Sequence, residues 1–140
     1  MKLLRHGLLF SFLFICCIST WALEYHPYPE AQITSEQWLS YYEEAIEKYG
    51  TTAQNFPKQH LIVLYNNDGL TSYAFTLKGH EAHPAWITRK VAEKNGAFNI
   101  EQIGYYAGEE RPFAELFQAY LELNEQMKAQ IQEDKAGETQ

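Results

Sequence analysis

The spacing of apolar and polar positions divides the chain into a helical stretch, a run of short strands and a second helical stretch. From Ile33 onward, Trp38, Tyr41, Tyr42, Ala45, Ile46 and Tyr49 recur at three- and four-residue intervals, which gathers them on one broad face of a helix. Thr34 stands at the N-cap with Gln37 three residues on, the pattern of a capping box, and Ile33 with Trp38 fill the two positions of a hydrophobic staple. Gly50 is expected to stop this helix in a left-handed conformation.

From His60 the period shortens. "HLIVLYN" is apolar on both parities, as in a strand covered on each face. "NNDG", residues 66–69, is a turn. Residues 70–78 then alternate, with Tyr73, Phe75 and Leu77 facing one way and Ser72, Ala74 and Thr76 the other. A third strand is expected over 86–93, the Asn95-Gly96 pair signals a type I′ hairpin, and a fourth strand follows over 97–107. In that strand Phe98 and Ile100 share one parity while Ile103 and Tyr105 share the other. A strand burying both sets on one face needs a bulge, expected near Glu101 or Gln102.

Pro112 suits the first turn of a second helix. Phe113, Leu116, Phe117, Tyr120, Leu123 or Asn124, Met127 and Ile131 sustain its apolar face for about five turns. Residues 133–140, "EDKAGETQ", read as a polar, frayed tail. The order of elements predicts an α+β domain: a helix, a four-stranded antiparallel meander sheet and a C-terminal helix. With no repeat and no divisible linker, residues 23–140 read as one small domain, of which 23–32, carrying Pro27 and Pro29, form an extended lead-in.

The amino terminus changes the picture from fold to compartment. Lys2 and Arg5 precede an apolar run of 11 residues, "LLFSFLFICCI". That length falls inside the roughly 7–15 of a signal core and short of the ~20 that span a bilayer. Thr20 and Ala22 supply small residues at −3 and −1, so residues 1–22 read as a signal peptide cut after Ala22, and the product as periplasmic or secreted. Acylation at Cys16 or Cys17 is the competing outcome; Ile15 and Cys16 stand where a lipoprotein signal carries a small residue. Cleavage removes both cysteines and leaves 118 residues without a thiol, so stability must come from a core rather than from disulfides.

The mature balance is 9 Lys and Arg against 18 Asp and Glu, or −9, which disfavours nucleic acid and anionic membrane surfaces as partners. The charge is uneven. Residues 78–94 sum to +2 while the rest of the mature chain sums to −11, and that basic island contains His80 and His83 within "KGHEAHPAW". His80 and His83 lie three apart, with Pro84 against a helix through both, so they do not match the four-residue spacing of helical metal-binding histidines. A loop bent at Gly79 and stiffened at Pro84 explains most of this stretch. What remains is a candidate cradle of His80, His83, Arg89 and Lys90 for an anionic small molecule, glycan or protein surface.

Ten tyrosines survive cleavage. Tyr105 and Tyr106, adjacent on a strand, must face opposite ways, so one at most belongs to a given core. No cysteine remains as a nucleophile, no serine sits in a nucleophile elbow, and no glycine-rich phosphate loop is present. Nothing in the sequence implies a cofactor or a resident metal. The chain therefore reads as a binding or accessory module more than as an enzyme. Two alternatives stand beside it: a hydrolase using His80 or His83 as general base or metal ligand, and an acidic inhibitor or chaperone-like subunit docking on a basic exported protein.

Overall fold

The computed structural model describes residues 30–138. Helix α1 (Ser35–Tyr49) is followed by a 3₁₀ turn (Gly50–Thr52), strands β1 (Gln54–Phe56), β2 (Leu61–Tyr65), β3 (Thr71–Thr76), β4 (Ala85–Lys94) and β5 (Ala97–Tyr106), and helix α2 (Glu110–Gly137). The strands form one antiparallel sheet in chain order, so the α+β class and the meander stand. The sheet has five strands rather than four. β1 is three residues long and exposed throughout, and so carries no alternation for a sequence pattern to register.

Residues 1–22 and most of the lead-in lie outside the described residues. The end of the lead-in is inside, and it closes the β5 edge. Gln32 bridges Tyr106 in parallel, the Tyr106 amide donates to Ala31 O at 2.9 Å, and the Ile33 amide donates to Tyr106 O at 2.8 Å. Ala31 is fully buried there.

The sheet separates two cores. On one face Trp38 and Ala45 of α1 pack with Ile62, Leu64, Phe75 and Trp86; on the other, Phe113 and Phe117 of α2 pack with Ala31, Ala82, Ala85, Ile87 and Tyr106. This double cover removes the expected bulge. β4 and β5 pair without interruption from Lys94↔Ala97 to Ala85↔Tyr106. Successive residues of β5 serve alternate faces, Ile100 and Tyr106 toward α2 and Tyr105 toward α1, so neither parity has to be forced across. α2 comes close enough to press Phe113 onto the sheet because β5 has glycine at 104: a Cβ there would lie 2.9 Å from both Ile87 Cδ1 and Phe113 Cζ.

The caps of α1 divide into one agreement and one correction. Thr34 Oγ1 accepts from the Gln37 amide at 3.1 Å and Gln37 Oε1 accepts from the Thr34 amide at 2.9 Å, a complete capping box. Gly50, however, is right-handed, with φ −58°. The chain tightens into the 3₁₀ turn instead, and Thr52 terminates it, its hydroxyl lying 2.7 Å from Tyr49 O and accepting from the Tyr65 amide at 2.8 Å. Asn95 and Gly96 do take positive φ, 55° and 76°, as the I′ hairpin requires. In α2 the choice between Leu123 and Asn124 falls to Asn124, which is buried while Leu123 is exposed. The helix continues through residues 133–137, taking in most of the stretch read as a frayed tail.

The β3–β4 ladder ends at Phe75↔Trp86, and beyond it a side chain takes over. Thr76, fully buried, donates through Oγ1 to Ala85 O at 3.0 Å and accepts from the Ala85 amide at 2.9 Å. The same Ala85 carbonyl accepts from Trp38 Nε1 at 3.1 Å, fastening α1 to the start of β4. Replacing the Thr76 hydroxyl by a methyl leaves a buried amide unsatisfied, a loss of about 1–3 kcal/mol. Thr76→Val is therefore expected to lower the urea-denaturation stability by about 2–3 kcal/mol. Thr76→Ser should keep most of it, and equal stability of all three proteins would show the hydroxyl to be dispensable.

Candidate functional site

The basic island does not fold into a single cradle. Residues 77–84 make a succession of tight turns, with the His80 amide donating to Leu77 O at 3.1 Å and the His83 amide to His80 O at 3.0 Å. Gly79 has φ 106°, and the His60 ring rests so close that a Cβ on Gly79 would meet His60 Cε1 at 3.0 Å. The His83–Pro84 peptide is cis.

Each of the two imidazoles of this loop has a structural partner. His83 Nδ1 lies 3.0 Å from Thr76 O, and because a carbonyl only accepts, Nδ1 carries the hydrogen of that bond. The ring also meets Trp38 edge-on, with centroids 4.9 Å apart. His80 Nδ1 accepts from the Ala82 amide at 3.0 Å. Burial is the main cause that lowers the His80 pKa below the ordinary histidine value; Glu81 opposes it, while His60 and His83 reinforce it.

Arg89 and Lys90 lie elsewhere. β4 begins at Ala85, and the strand from there to Arg89 carries the guanidinium's residue about 13 Å from the loop that holds His83, at ~3.3 Å per residue. Arg89 points under α2, where its guanidinium donates to Asn124 Oδ1 at 3.3 Å and sits 4.8 Å from the Tyr120 ring centroid. Lys90, the next residue along β4, takes the opposite side and is exposed. The structure thus brings His80 and His83 into one loop and leaves Arg89 and Lys90 on two further surfaces. Among the described residues, no three His, Cys, Asp or Glu side chains converge as a metal site requires.

A different concavity opens on the α1 face. α1 covers β2 and part of β3, and beside it a cleft of about 340 Å³ runs over β3, β4 and β5. Its wall is Tyr41, Ala45 and Tyr49 of α1, and its floor is Tyr73, Phe75, Trp86 and Tyr105 of the sheet. The rings interlock: Tyr41 with Trp86 at 4.8 Å, Trp86 with Tyr105 at 4.8 Å, and Tyr49 stacked on Tyr73 at 5.4 Å with 9° between planes. Tyr41 is nevertheless 48% exposed and Ile103, at the far rim, 41%.

Polar groups edge this aromatic surface. Glu44 and Lys48 pair across one turn of α1, and that bond, with the attraction of the carboxylate, raises the Lys48 pKa. Trp86 Nε1 donates to Thr88 Oγ1 at 3.3 Å. Burial first, and the neighbouring Tyr49 second, raise the Tyr73 pKa, so its phenol remains a neutral hydrogen-bonding group near neutral pH.

Sequence periodicity placed Tyr41 on the packed face of α1, which it does border, but could not show that the sheet beneath it is wider than the helix. Tyr105 and Tyr106 separate as their adjacency demands, Tyr105 to the cleft and Tyr106 to a stack on Phe113 at 4.7 Å.

The lowered His80 pKa fixes the sign of one pH dependence. The folded state holds the imidazole neutral more strongly than the unfolded chain does. Stability is therefore unaffected by this group well above the unfolded value near 6.5 and declines as pH falls through it toward the folded value. Urea midpoints measured from pH 7.5 down to 5.5 should fall, and His80→Asn, which keeps an acceptor for the Ala82 amide without titrating, should flatten that slope. An identical slope in both proteins would assign the acid sensitivity to other groups. Neither a family model, nor a curated protein, nor a solved structure matches this chain.

Proposed function

We propose that this protein is an exported binding module, and that it takes a small, uncharged ligand with one flat apolar face and a polar edge, of which a sugar ring is the simplest case, in the cleft beside α1. The observation that carries this reading is the convergence of Tyr41, Tyr49, Tyr73, Trp86 and Tyr105 around one concavity. Its volume stands at the low end of the roughly 300–1,000 Å³ of small-molecule sites, which suits one or two rings rather than a polymer segment. Aromatic faces meet the C–H face of a sugar, while Thr88, Glu44 and Lys48 offer hydrogen bonds to its hydroxyls.

The loop histidines support catalysis less well than binding. The Nδ1 atoms of both His80 and His83 are engaged in bonds that hold the loop, and no carboxylate among the described residues pairs with either ring. Export rests on the basic, apolar and small-residue pattern of residues 1–22.

Titration with glucose, N-acetylglucosamine and cellobiose, followed by NMR shifts of the tryptophan and tyrosine rings, tests the site. At least one sugar should shift Trp86 and Tyr73, and Tyr41→Ala should weaken it by about 2- to 10-fold, the loss of one stacking contact. Shifts confined to residues outside the cleft, or an unchanged affinity in Tyr41→Ala, would remove the proposal. Mass spectrometry of the protein recovered from the producing cell should find a chain beginning at Leu23; an intact Met1 product, or one acylated at Cys16 or Cys17, would overturn export as a free protein.

A further inference from the structure

Arg89 is the one residue of the basic island whose charge the fold draws inward, and its partners are all neutral. The guanidinium lies over the Tyr120 ring, and Nη1 donates to Asn124 Oδ1 at 3.3 Å and approaches Met127 Sδ at 3.7 Å. Nε is buried without an acceptor. No Asp or Glu among the described residues is within ion-pairing distance of it. The neutral groups are themselves committed: Asn124 Nδ2 donates to Gln102 Oε1 at 2.7 Å, and Gln102 Nε2 donates to Phe117 O at 2.9 Å. This chain of amides holds the arginine in place and leaves its positive charge unmatched.

A second cavity, on the sheet face opposite the aromatic cleft, has Arg89 in its wall. It measures about 110 Å³ and lies between α2 and the sheet where Met127 passes over β3, β4 and β5. Its polar lining is Arg89, Ser72 and Tyr65; its apolar lining is Leu70, Val91, Ile100 and Met127. Leu70 and Met127 at its mouth are 50% and 37% exposed, which gives a small ligand a way in. A dry cavity of roughly 150 Å³ admits benzene, so the occupant of this one is smaller than a six-membered ring. A cation at one end and branched or thioether carbons at the other specify an anion with a short hydrocarbon tail.

We propose that this pocket binds a short-chain monocarboxylate of acetate to butyrate size, its carboxylate on the Arg89 guanidinium and the Ser72 hydroxyl and its carbons against Val91, Ile100 and Met127. Guanidinium and carboxylate form the stronger class of charge-assisted hydrogen bond, and here the ligand would supply the negative charge that the protein does not. A tetrahedral oxyanion such as phosphate lacks the tail and would set polar oxygens against the apolar wall. The site is independent of the aromatic cleft, which lies across the sheet.

Titrating the protein with sodium propionate, propionamide, sodium acetate and inorganic phosphate, read by calorimetry and by NMR shifts of Val91, Ile100 and Met127, tests the assignment. Propionate should bind more tightly than acetate and shift these three residues, and propionamide, matched in shape but uncharged, should not bind. Arg89→Met, which keeps an apolar stem against Tyr120, should weaken propionate by about 10- to 100-fold, the value of one charged hydrogen-bonding partner. Ser72→Ala should weaken it less, and serves if Arg89→Met does not fold. Tyr41→Ala should leave it unchanged. Equal binding of propionamide, phosphate binding as tightly as propionate, no shift at the three residues, or undiminished affinity in whichever of the two pocket variants folds would each overturn it.

Discussion

One backbone unit joins the layers of this protein. The amide and carbonyl of Ala85 open β4, and both are taken by side chains that come from elsewhere: Thr76 from β3 supplies the hydroxyl, and Trp38 from α1 supplies the indole N–H. A buried peptide group must find partners, and here it finds them in two elements at once. Helix, β3 and β4 are thereby set relative to one another at a single point. The His83 ring, bonded to Thr76 O and lying edge-on to Trp38, draws the loop 77–84 into the same joint. Most of what the sequence offered as chemistry in that loop is used to hold this junction together.

The second constraint is that the sheet is covered on both sides by helices of unequal reach. α2 runs 28 residues and covers β5, whereas α1 runs 15 and stops at a 3₁₀ turn beside β2. The sheet face under α2 keeps a small pocket near Met127, while the face beside α1 is left with an open aromatic margin. Both cavities follow from the mismatch between helix coverage and strand length. Regular elements supply every wall of the aromatic cleft, whereas the Arg89 pocket also takes Leu70 from the turn between β2 and β3.

How much of this was legible follows from which interactions are local. The capping box of Thr34 and Gln37, the turn at Asn95 and Gly96, and the alternation of β3 depend on residues a few positions apart, so they could be read directly. A bulge near Glu101 or Gln102 answers a conflict of parities that exists only if one face of β5 is buried; two helices on opposite faces dissolve it. Glycine permits a left-handed stop at position 50, yet the Thr52 hydroxyl, reaching Tyr65 across 13 positions, sets the helix end instead. The candidate site is the least legible part, because distance in sequence is not distance in space. His83 and Arg89 are neighbours in the island, but a strand carries them apart, and Asn124 and Tyr120, which meet Arg89, stand more than 30 positions downstream.

The separation of aromatic and charged surfaces follows from the pleat itself. Along β4, Trp86 and Thr88 face the α1 side while Ile87 and Arg89 face α2, and the cross-strand partners Tyr105 and Ile103 continue the first set as Gly104 and Gln102 continue the second. A single residue of slip in this hairpin would exchange the two faces, moving Trp86 under α2 and Arg89 into the aromatic cleft. The Asn95-Gly96 turn and the ten uninterrupted pairs from Lys94↔Ala97 to Ala85↔Tyr106 hold that register. The same hairpin therefore determines both which ligand chemistry each surface can offer and that the two are kept apart: stacking on one side of the sheet, an unmatched guanidinium on the other.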